Sequence, residues 1–136
     1  MGQQQLLLLV LSVVLVGLAV VASWSFIDRA VQQDDSDGLL DRALAIGTYA
    51  VQWKTTMDPF NGGAASYAKL AERGLERLSM DSTNVRGRFA ITAATETTVE
   101  ITGVSLRYPK NGVRVWVEEY RIDSSRVVYD GSITLE

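Results

Sequence analysis

The sequence predicts an α+β fold, in which a long N-terminal helix precedes a four-stranded antiparallel sheet and a short helix lies in the connection. Three observations lead to this prediction. Residues 6–27 are uncharged and largely apolar, and helical spacing continues beyond them without a proline. Segment 57–65 has the proline, asparagine and glycine content of a loop. From residue 89 onwards, apolar side chains recur with the period of two that strands require.

We expect three segments: residues 1–27 as a hydrophobic helix, 28–56 as its amphipathic continuation, and 57–136 as a globular head. The apolar run of about 22 residues would span roughly 33 Å as a helix, which matches the hydrocarbon core of a bilayer. The run is longer than the core of a secretory signal, and the preceding MGQQQ contains no lysine or arginine. We therefore expect that a basic leader before Met1 has been removed. An ordinary single-span anchor that starts at Met1 is the alternative.

The amphipathic continuation has an apolar stripe at helical spacing, which predicts the surface that packs on the head. The stripe consists of Leu40, Ala43, Leu44, Gly47, Ala50 and Val51 and ends near Trp53. The opposite side carries Asp41, Arg42, Thr48, Gln52 and Lys54, which we expect to be exposed. Both segments together predict one helix of about 50 residues that is weakened at 34–38. A glycine inside a helix costs only about 1 kcal/mol, so Gly38 does not require the helix to break.

The connection and the first two strands follow from local patterns. Ser66 is a suitable N-cap for a short helix over 67–78. In the first strand the core side chains are Phe89, Ile91 and Ala93, and in the second they are Val99 and Ile101. At Gly103 the parity changes, because the apolar residues that follow are Val104, Leu106 and Tyr108. We expect a bulge or the end of a strand at this glycine.

The remaining strands complete a meander. Residues 109–112 read Pro-Lys-Asn-Gly, a strong hairpin turn. The third strand then directs Val113, Val115 and Val117 towards the core and Arg114 and Trp116 outwards. A bulge at Glu118-Glu119 would bring Tyr120 and Ile122 to the core side, a turn would follow at 123–125, and the last strand would contain Val127, Tyr129, Ile133 and Leu135. The amphipathic part of the long helix is expected to cover the apolar face of this sheet.

Composition argues against most enzymes. The chain contains neither cysteine nor histidine, which excludes disulfides, Ser-His-Asp and Cys-His catalysis and the usual zinc sites. With 13 basic and 16 acidic residues it has no electrostatic footprint for nucleic acid. Residues 34–38 imitate a calcium loop, but Gln33 and Leu44 occupy positions where acids are required, so we expect an acidic surface patch. We expect no catalytic residues, no cofactor and no metal.

The N-terminus MGQQQLLLLVLSVVLVGLAVV and the order of the elements resemble a type IV pilin. The resemblance implies that a prepilin peptidase removes a short leader, that the mature first residue is methylated, and that the fifth residue is glutamate. If Met1 is the first mature residue, Gln5 lies at the glutamate position. In a second register Gln3 comes first and Leu7 lies at that position. The chain also has no proline near residue 22 and no C-terminal disulfide loop, unlike many pilins.

The resemblance implies a structural subunit that forms a helical homopolymer. It also implies that the chain is held in the inner membrane as a precursor pool and then assembles into an extracellular surface filament. The implied partner is the pilus assembly machinery, and adhesion is one implied role. The residues expected in the filament core are Met1, Gln5, Leu7, Leu11, Val14, Gly17, Leu18 and Val21. Three aromatic residues are candidates for contacts between subunits: Trp24, Trp53 and Trp116. The alternatives are a singly membrane-anchored periplasmic or surface binding domain and a minor pseudopilin of a secretion system.

Overall fold

The computed structural model describes residues 2–57 and 62–135, and its elements confirm the α+β prediction. Helix α1 covers Gly2–Thr55, a 3₁₀ turn covers Ala68–Ala71, and helix α2 covers Gly74–Arg77. Four antiparallel strands follow in the order β1-β2-β3-β4. Their bounds are Gly87–Ala94, Thr98–Ser105, Gly112–Glu118 and Arg121–Val128. The chain separates into two compact units, Met1–Gln33 and Asp34–Glu136.

Within the second unit, α1 packs on the inner face of the sheet through small side chains. Ala43 and Ala50 are fully buried, and a Cβ added to Gly47 would lie 3.2 Å from a methyl group of Val117. The helix backbone therefore approaches the sheet closely. The predicted stripe is confirmed at these three positions, while Leu40, Leu44 and Val51 lie at its half-buried edge. The buried residues on this side of α1 also include Leu39, Ile46 and Trp53.

The acidic stretch 34–38 remains helical, and side chains of the head hold it in place. Arg86 forms an ion pair with Asp34 at 3.7 Å. The Ser105 hydroxyl donates to a carboxylate oxygen of Asp35 at 2.5 Å, and the Asn111 amide donates to the Ser36 hydroxyl at 3.2 Å. Asp35 and Ser36 are buried, so the prediction of an acidic surface patch is wrong at this part of the stretch. The head supplies hydrogen-bond partners that make burial of these polar groups tolerable.

The single short helix predicted over 67–78 is wrong, because two shorter elements occupy this segment. Arg73 has a φ of 52°, in the left-handed region, and separates the 3₁₀ turn from α2. A Cβ on Gly74 would lie 2.5 Å from Ile91, so the chain turns here to pass close to β1. The Ser66 hydroxyl accepts a hydrogen bond from the backbone N–H of Ala68 at 3.1 Å, at the start of the segment as its sequence position suggests.

The apolar faces of β1 to β3 agree with the predicted alternation, with two corrections. Phe89, Val99 and Ile101 are buried on the inner face, as are the three valines of β3. Ala93 is exposed instead, because a register shift between Ile91 and Ala93 reverses the parity at the end of β1. Gly103 does not interrupt β2. It pairs in register with Phe89 and Val113, and a Cβ there would lie 2.7 Å from the Phe89 ring.

The turn predicted at 109–112 is confirmed, since the Asn111 N–H donates to the Tyr108 carbonyl at 2.8 Å between β2 and β3. The next turn is not at 123–125, as predicted. The chain reverses at Glu119 and Tyr120, and Glu119 adopts a left-handed φ of 55°. A bulge at Glu118-Glu119 is therefore also wrong.

Segment 123–125 lies inside β4, and the irregularity in pairing falls between Trp116 and Val117, opposite Ser124 and Ile122. Strand β4 ends at Val128, so the predicted strand through Tyr129, Ile133 and Leu135 is wrong. Ile133 is nevertheless buried, because its side chain fills the space above Gly112, where a Cβ would lie 2.8 Å away.

Candidate functional site

The apolar part of α1 is exposed along its whole length. All side chains of residues 6–27 are exposed, from 50% at Val20 to 72% at Trp24 among the large hydrophobic ones. Monomeric soluble proteins rarely expose an apolar patch larger than a few hundred Å². By length and composition, α1 is apolar enough to cross a membrane, with a mean hydropathy of 3.0 in its most apolar window. A membrane anchor and a signal sequence both meet this test. The surface requires lipid or protein to cover it.

The hydroxyl groups within the run have partners inside the helix itself. Ser12 donates to the Leu8 carbonyl at 2.7 Å, Ser23 to the Ala19 carbonyl at 2.7 Å, and Ser25 to the Ala22 carbonyl at 2.8 Å. In an apolar environment an unpaired hydroxyl would cost several kcal/mol, and bonds of this kind avoid the cost. The run can therefore be buried in hydrocarbon or in protein without leaving these hydroxyl groups unpaired.

Gly17 gives one side of the run a point at which another helix can approach closely. A Cβ added to Gly17 would meet no atom within 4 Å, so nothing in the folded chain requires glycine there. Ser12, Ala19 and Ala22 are also small, but they lie on the side of the helix opposite Gly17. Small residues let two helix backbones come together in an apolar environment.

The structure locates the residues predicted for a filament core. Met1 lies outside the described residues. The other seven are all exposed in α1: Gln5, Leu7, Leu11, Val14, Gly17, Leu18 and Val21. Leu7, Leu11, Val14, Leu18 and Val21 recur at the spacing of one helix face, and Gln5 lies on the opposite side of the helix.

The three tryptophans differ in their surroundings. Trp24 is exposed at the end of the run. Trp53 is 8% exposed and packs on Gly63, whose N–H donates to the Trp53 carbonyl at 2.9 Å. Trp116 is half-buried on the outer face of the sheet. Trp53 is thus a core residue of the unit Asp34–Glu136, and Trp24 offers the largest free aromatic surface of the three.

A buried lysine at the C-terminal end of α1 is the main feature that the sequence did not predict. Lys54, expected on the polar side of the helix, is 2% exposed. Its ammonium lies 3.2 Å from a carboxylate oxygen of Glu119, 4.6 Å from the centre of the Tyr67 ring and 4.7 Å from that of Tyr120. Two aromatic faces and one carboxylate thus replace the water around this cation. No local pattern joins positions so distant in the chain.

The same cluster holds the strained turn between β3 and β4. The Tyr67 hydroxyl donates to the Glu119 carbonyl at 2.5 Å, and the Glu119 N–H donates to the Thr97 carbonyl at 2.8 Å. Burial raises the pKa of Tyr67 to about 12, with smaller contributions from Tyr120 and Glu119. Tyr67 therefore stays protonated and able to donate at any physiological pH. We assign a structural role to this cluster, since it ties helix, loop and hairpin together.

The outer face of the sheet carries a second polar network, centred on Glu100. Its carboxylate accepts hydrogen bonds from the Thr92 hydroxyl at 2.6 Å and the Trp116 indole N–H at 2.9 Å, and it pairs with Arg114 at 3.4 Å. The outward direction predicted for Arg114 and Trp116 is confirmed. Both side chains have partners within their own head.

No arrangement for metal binding is found among the described residues, because no three acidic side chains there converge on one point. Comparisons with protein-family models, with curated proteins and with solved structures find no match to this chain. The exposed apolar run of α1 is therefore the main feature from which a function can be inferred.

Proposed function

We propose that this chain is a structural subunit of a type IV pilus-like surface filament and polymerises through residues 6–27 of α1. The observation that supports the proposal is the exposure of this apolar run in a chain whose second unit has a well-packed core. A folded head that carries an uncovered apolar helix is suited to two surroundings in turn. Lipid covers the helix before assembly, and other copies of the same helix cover it afterwards.

Energetics favour a durable polymer once the subunits have left the membrane. Burying a leucine or valine side chain contributes about 1.5–3 kcal/mol, and the run contains about a dozen of them. A subunit that escaped into water would lose roughly 20–40 kcal/mol of this gross stabilisation, before the entropy of association is subtracted. Subunits in a helix bundle would therefore not dissociate spontaneously.

Transfer from lipid into the bundle has a different basis. Lipid tails are as apolar as leucine, so close packing has to favour helix–helix contact over lipid contact. Gly17 would provide this packing on one side of the helix, and Ser12, Ala19 and Ala22 would provide it on the opposite side. The resemblance to pilins adds the inner membrane as the site of the precursor pool, and a prepilin peptidase and an assembly machinery as partners.

Replacing Gly17 with leucine distinguishes a filament from a simple anchor. Gly17→Leu makes the run more apolar and removes a poor helix former, so membrane insertion should be unchanged or better. In a bundle the larger side chain would separate the helices. We expect the amount of filament sheared from cells to fall at least tenfold, while the membrane-bound amount stays within twofold of wild type, both measured by quantitative immunoblotting.

Val16→Leu is the matched control, because it enlarges a neighbouring side chain by one methylene and keeps the glycine. Filament yield from this variant should remain close to that of wild type. Wild-type yield from Gly17→Leu would contradict packing at this glycine. If the wild-type chain is itself recovered only as a membrane-bound monomer, the protein is an anchored domain and not a filament subunit.

A further inference from the structure

Two loops meet at one end of the sheet, within the unit Asp34–Glu136. The pairing register brings the start of β1 beside the end of β2, and the start of β3 beside the end of β4. Loop 84–86, turn 106–111 and residue 129 therefore lie at this end of the sheet, which we call the near end. The Leu106 N–H donates to the Arg86 carbonyl at 3.0 Å and joins the two loops.

The near end exposes apolar and aromatic side chains. Val85, Leu106 and Tyr129 are exposed, Val85 almost completely. Tyr108 is half-buried, and the guanidinium of Arg107 lies 5.5 Å from the centre of its ring. Tyrosine is enriched where a membrane meets water, and long basic side chains there cover apolar surface while their charge stays in water. The composition of the near end is therefore typical of a membrane–water interface.

The first residues of the unit are held at the same end. Arg86 of the loop forms an ion pair with Asp34 at 3.7 Å. The Asn111 amide, in the turn, donates to the Ser36 hydroxyl at 3.2 Å. These contacts lie inside the unit Asp34–Glu136 and fix the beginning of its helical segment at the near end.

The chain between the near end and the apolar run is short. Asp34 follows Ile27, the last residue of the run, by only seven positions. Seven residues cover about 10 Å as a helix and at most about 25 Å when extended. The headgroup region extends about 5–8 Å beyond the hydrocarbon core on each side. When the run spans a bilayer, chain length alone keeps the near end close to the headgroups, and such a tether makes weak contacts effective.

The charges of the near end balance. Arg107 and Lys110 are exposed, and so are the acidic residues Asp37 and Asp130. Lys110 and Asp130 are close, because the N–H of Gly131 donates to the Lys110 carbonyl at 2.9 Å. A basic cluster would favour anionic lipids, whereas a balanced surface with apolar side chains fits a zwitterionic bilayer.

We propose that the near end docks on the headgroup region of the bilayer while the chain is in the membrane. Val85, Leu106 and Tyr129 enter the interface and orient the unit Asp34–Glu136 on the lipid surface. The inference rests on the membrane stage of the proposed function. Docking ends when the subunit joins a filament, so the filament core does not depend on these three residues.

Depth-dependent fluorescence quenching of the full-length chain tests the docking. The chain contains no cysteine, so a single cysteine carries the fluorophore at a chosen position. Val85→Cys, labelled with nitrobenzoxadiazole, is reconstituted into phosphatidylcholine vesicles whose headgroups carry a nitroxide quencher. We expect the nitroxide to reduce the fluorescence at least twofold, also in 1 M salt, because apolar contacts are not screened.

Thr97→Cys is the matched control. Thr97 is exposed in the turn between β1 and β2, at the opposite end of strands that are eight residues and roughly 25 Å long. The nitroxide should leave its fluorescence nearly unchanged. Leu106→Asp, added to the chain labelled at position 85, should reduce the quenching towards the level at position 97. Near-ultraviolet circular dichroism shows whether this variant remains folded.

The outcomes separate the docking from the filament. Equal quenching at positions 85 and 97, or none at position 85 in a chain bound to the vesicles, would overturn the docking alone. Shielding of position 85 in filaments but not in vesicles would also overturn it and indicate a contact between copies. Docked chains in vesicles, with no filaments from cells, would support the docking and contradict the filament. A chain that does not bind the vesicles would contradict both.

Discussion

Replacing Leu11 with arginine should abolish the filaments. Leu11 is one of the exposed residues of the apolar run, and a guanidinium there would have to be buried when the helices bundle. Burial of an unpaired charge costs several kcal/mol, and every subunit of the polymer would carry that cost. In a bilayer the same substitution costs only about 2.5–3.5 kcal/mol on insertion scales, because long basic side chains reach towards the interface. Assembly should therefore fail more completely than membrane insertion.

Electron microscopy of sheared surface material and immunoblotting of the membrane fraction measure the two effects of Leu11→Arg separately. Val85→Arg is the control, since Val85 is 98% exposed on the head and accepts the same charge without burial. We expect no filaments from Leu11→Arg and normal filaments from Val85→Arg. Normal filaments from Leu11→Arg would refute a tightly packed core at this residue.

Replacing Lys54 with glutamate should destabilise the head strongly. The substitution places a carboxylate beside Glu119 and between two tyrosine rings, in a site that now holds a cation. Breaking a buried ion pair costs about 3–5 kcal/mol. Because the Glu119 carboxylate is half-exposed and water screens its charge, we expect the free energy of unfolding to fall by about 3 kcal/mol, the lower limit of this range. For a domain of this size that loss lowers the melting temperature by about 10 °C or more.

Thermal unfolding of the detergent-solubilised full-length chain, followed by near-ultraviolet circular dichroism, measures this loss. Lys54→Met is the matched control, because it keeps most of the aliphatic packing and introduces no negative charge. We expect this variant to melt much closer to wild type than Lys54→Glu does. Equal melting temperatures for Lys54→Glu and wild type would mean that the cluster of Lys54, Tyr67, Tyr120 and Glu119 does not hold the head together.

The elements with strong periodicity could be predicted from sequence because their burial depends on local spacing. The length of α1, the inward valines of β3 and the turn at 109–112 all follow from patterns within a few residues. The turn between β3 and β4 could not be predicted in this way. Glu119 adopts a left-handed conformation without being glycine or asparagine, and contacts from Lys54 and Tyr67, distant in the sequence, hold it there.

The burial of polar side chains was also not predicted, because it too depends on contacts between residues that are distant in the sequence. Asp35, Ser36 and Lys54 are polar in sequence and buried in the fold, because Ser105, Asn111 and Glu119 supply their partners. Amphipathic patterns assign such residues to solvent. The helical state of the apolar run was predicted correctly, because it depends on spacing and composition within the run itself.

The most direct test of the proposed function is electron cryomicroscopy of material sheared from cells that naturally produce this chain. We predict filaments of this chain whose helical reconstruction places residues 6–27 of α1 along the axis, with the heads outside. Recovery of the chain only as a monomer in detergent-solubilised membranes, with no filament in the sheared fraction, would contradict the proposal.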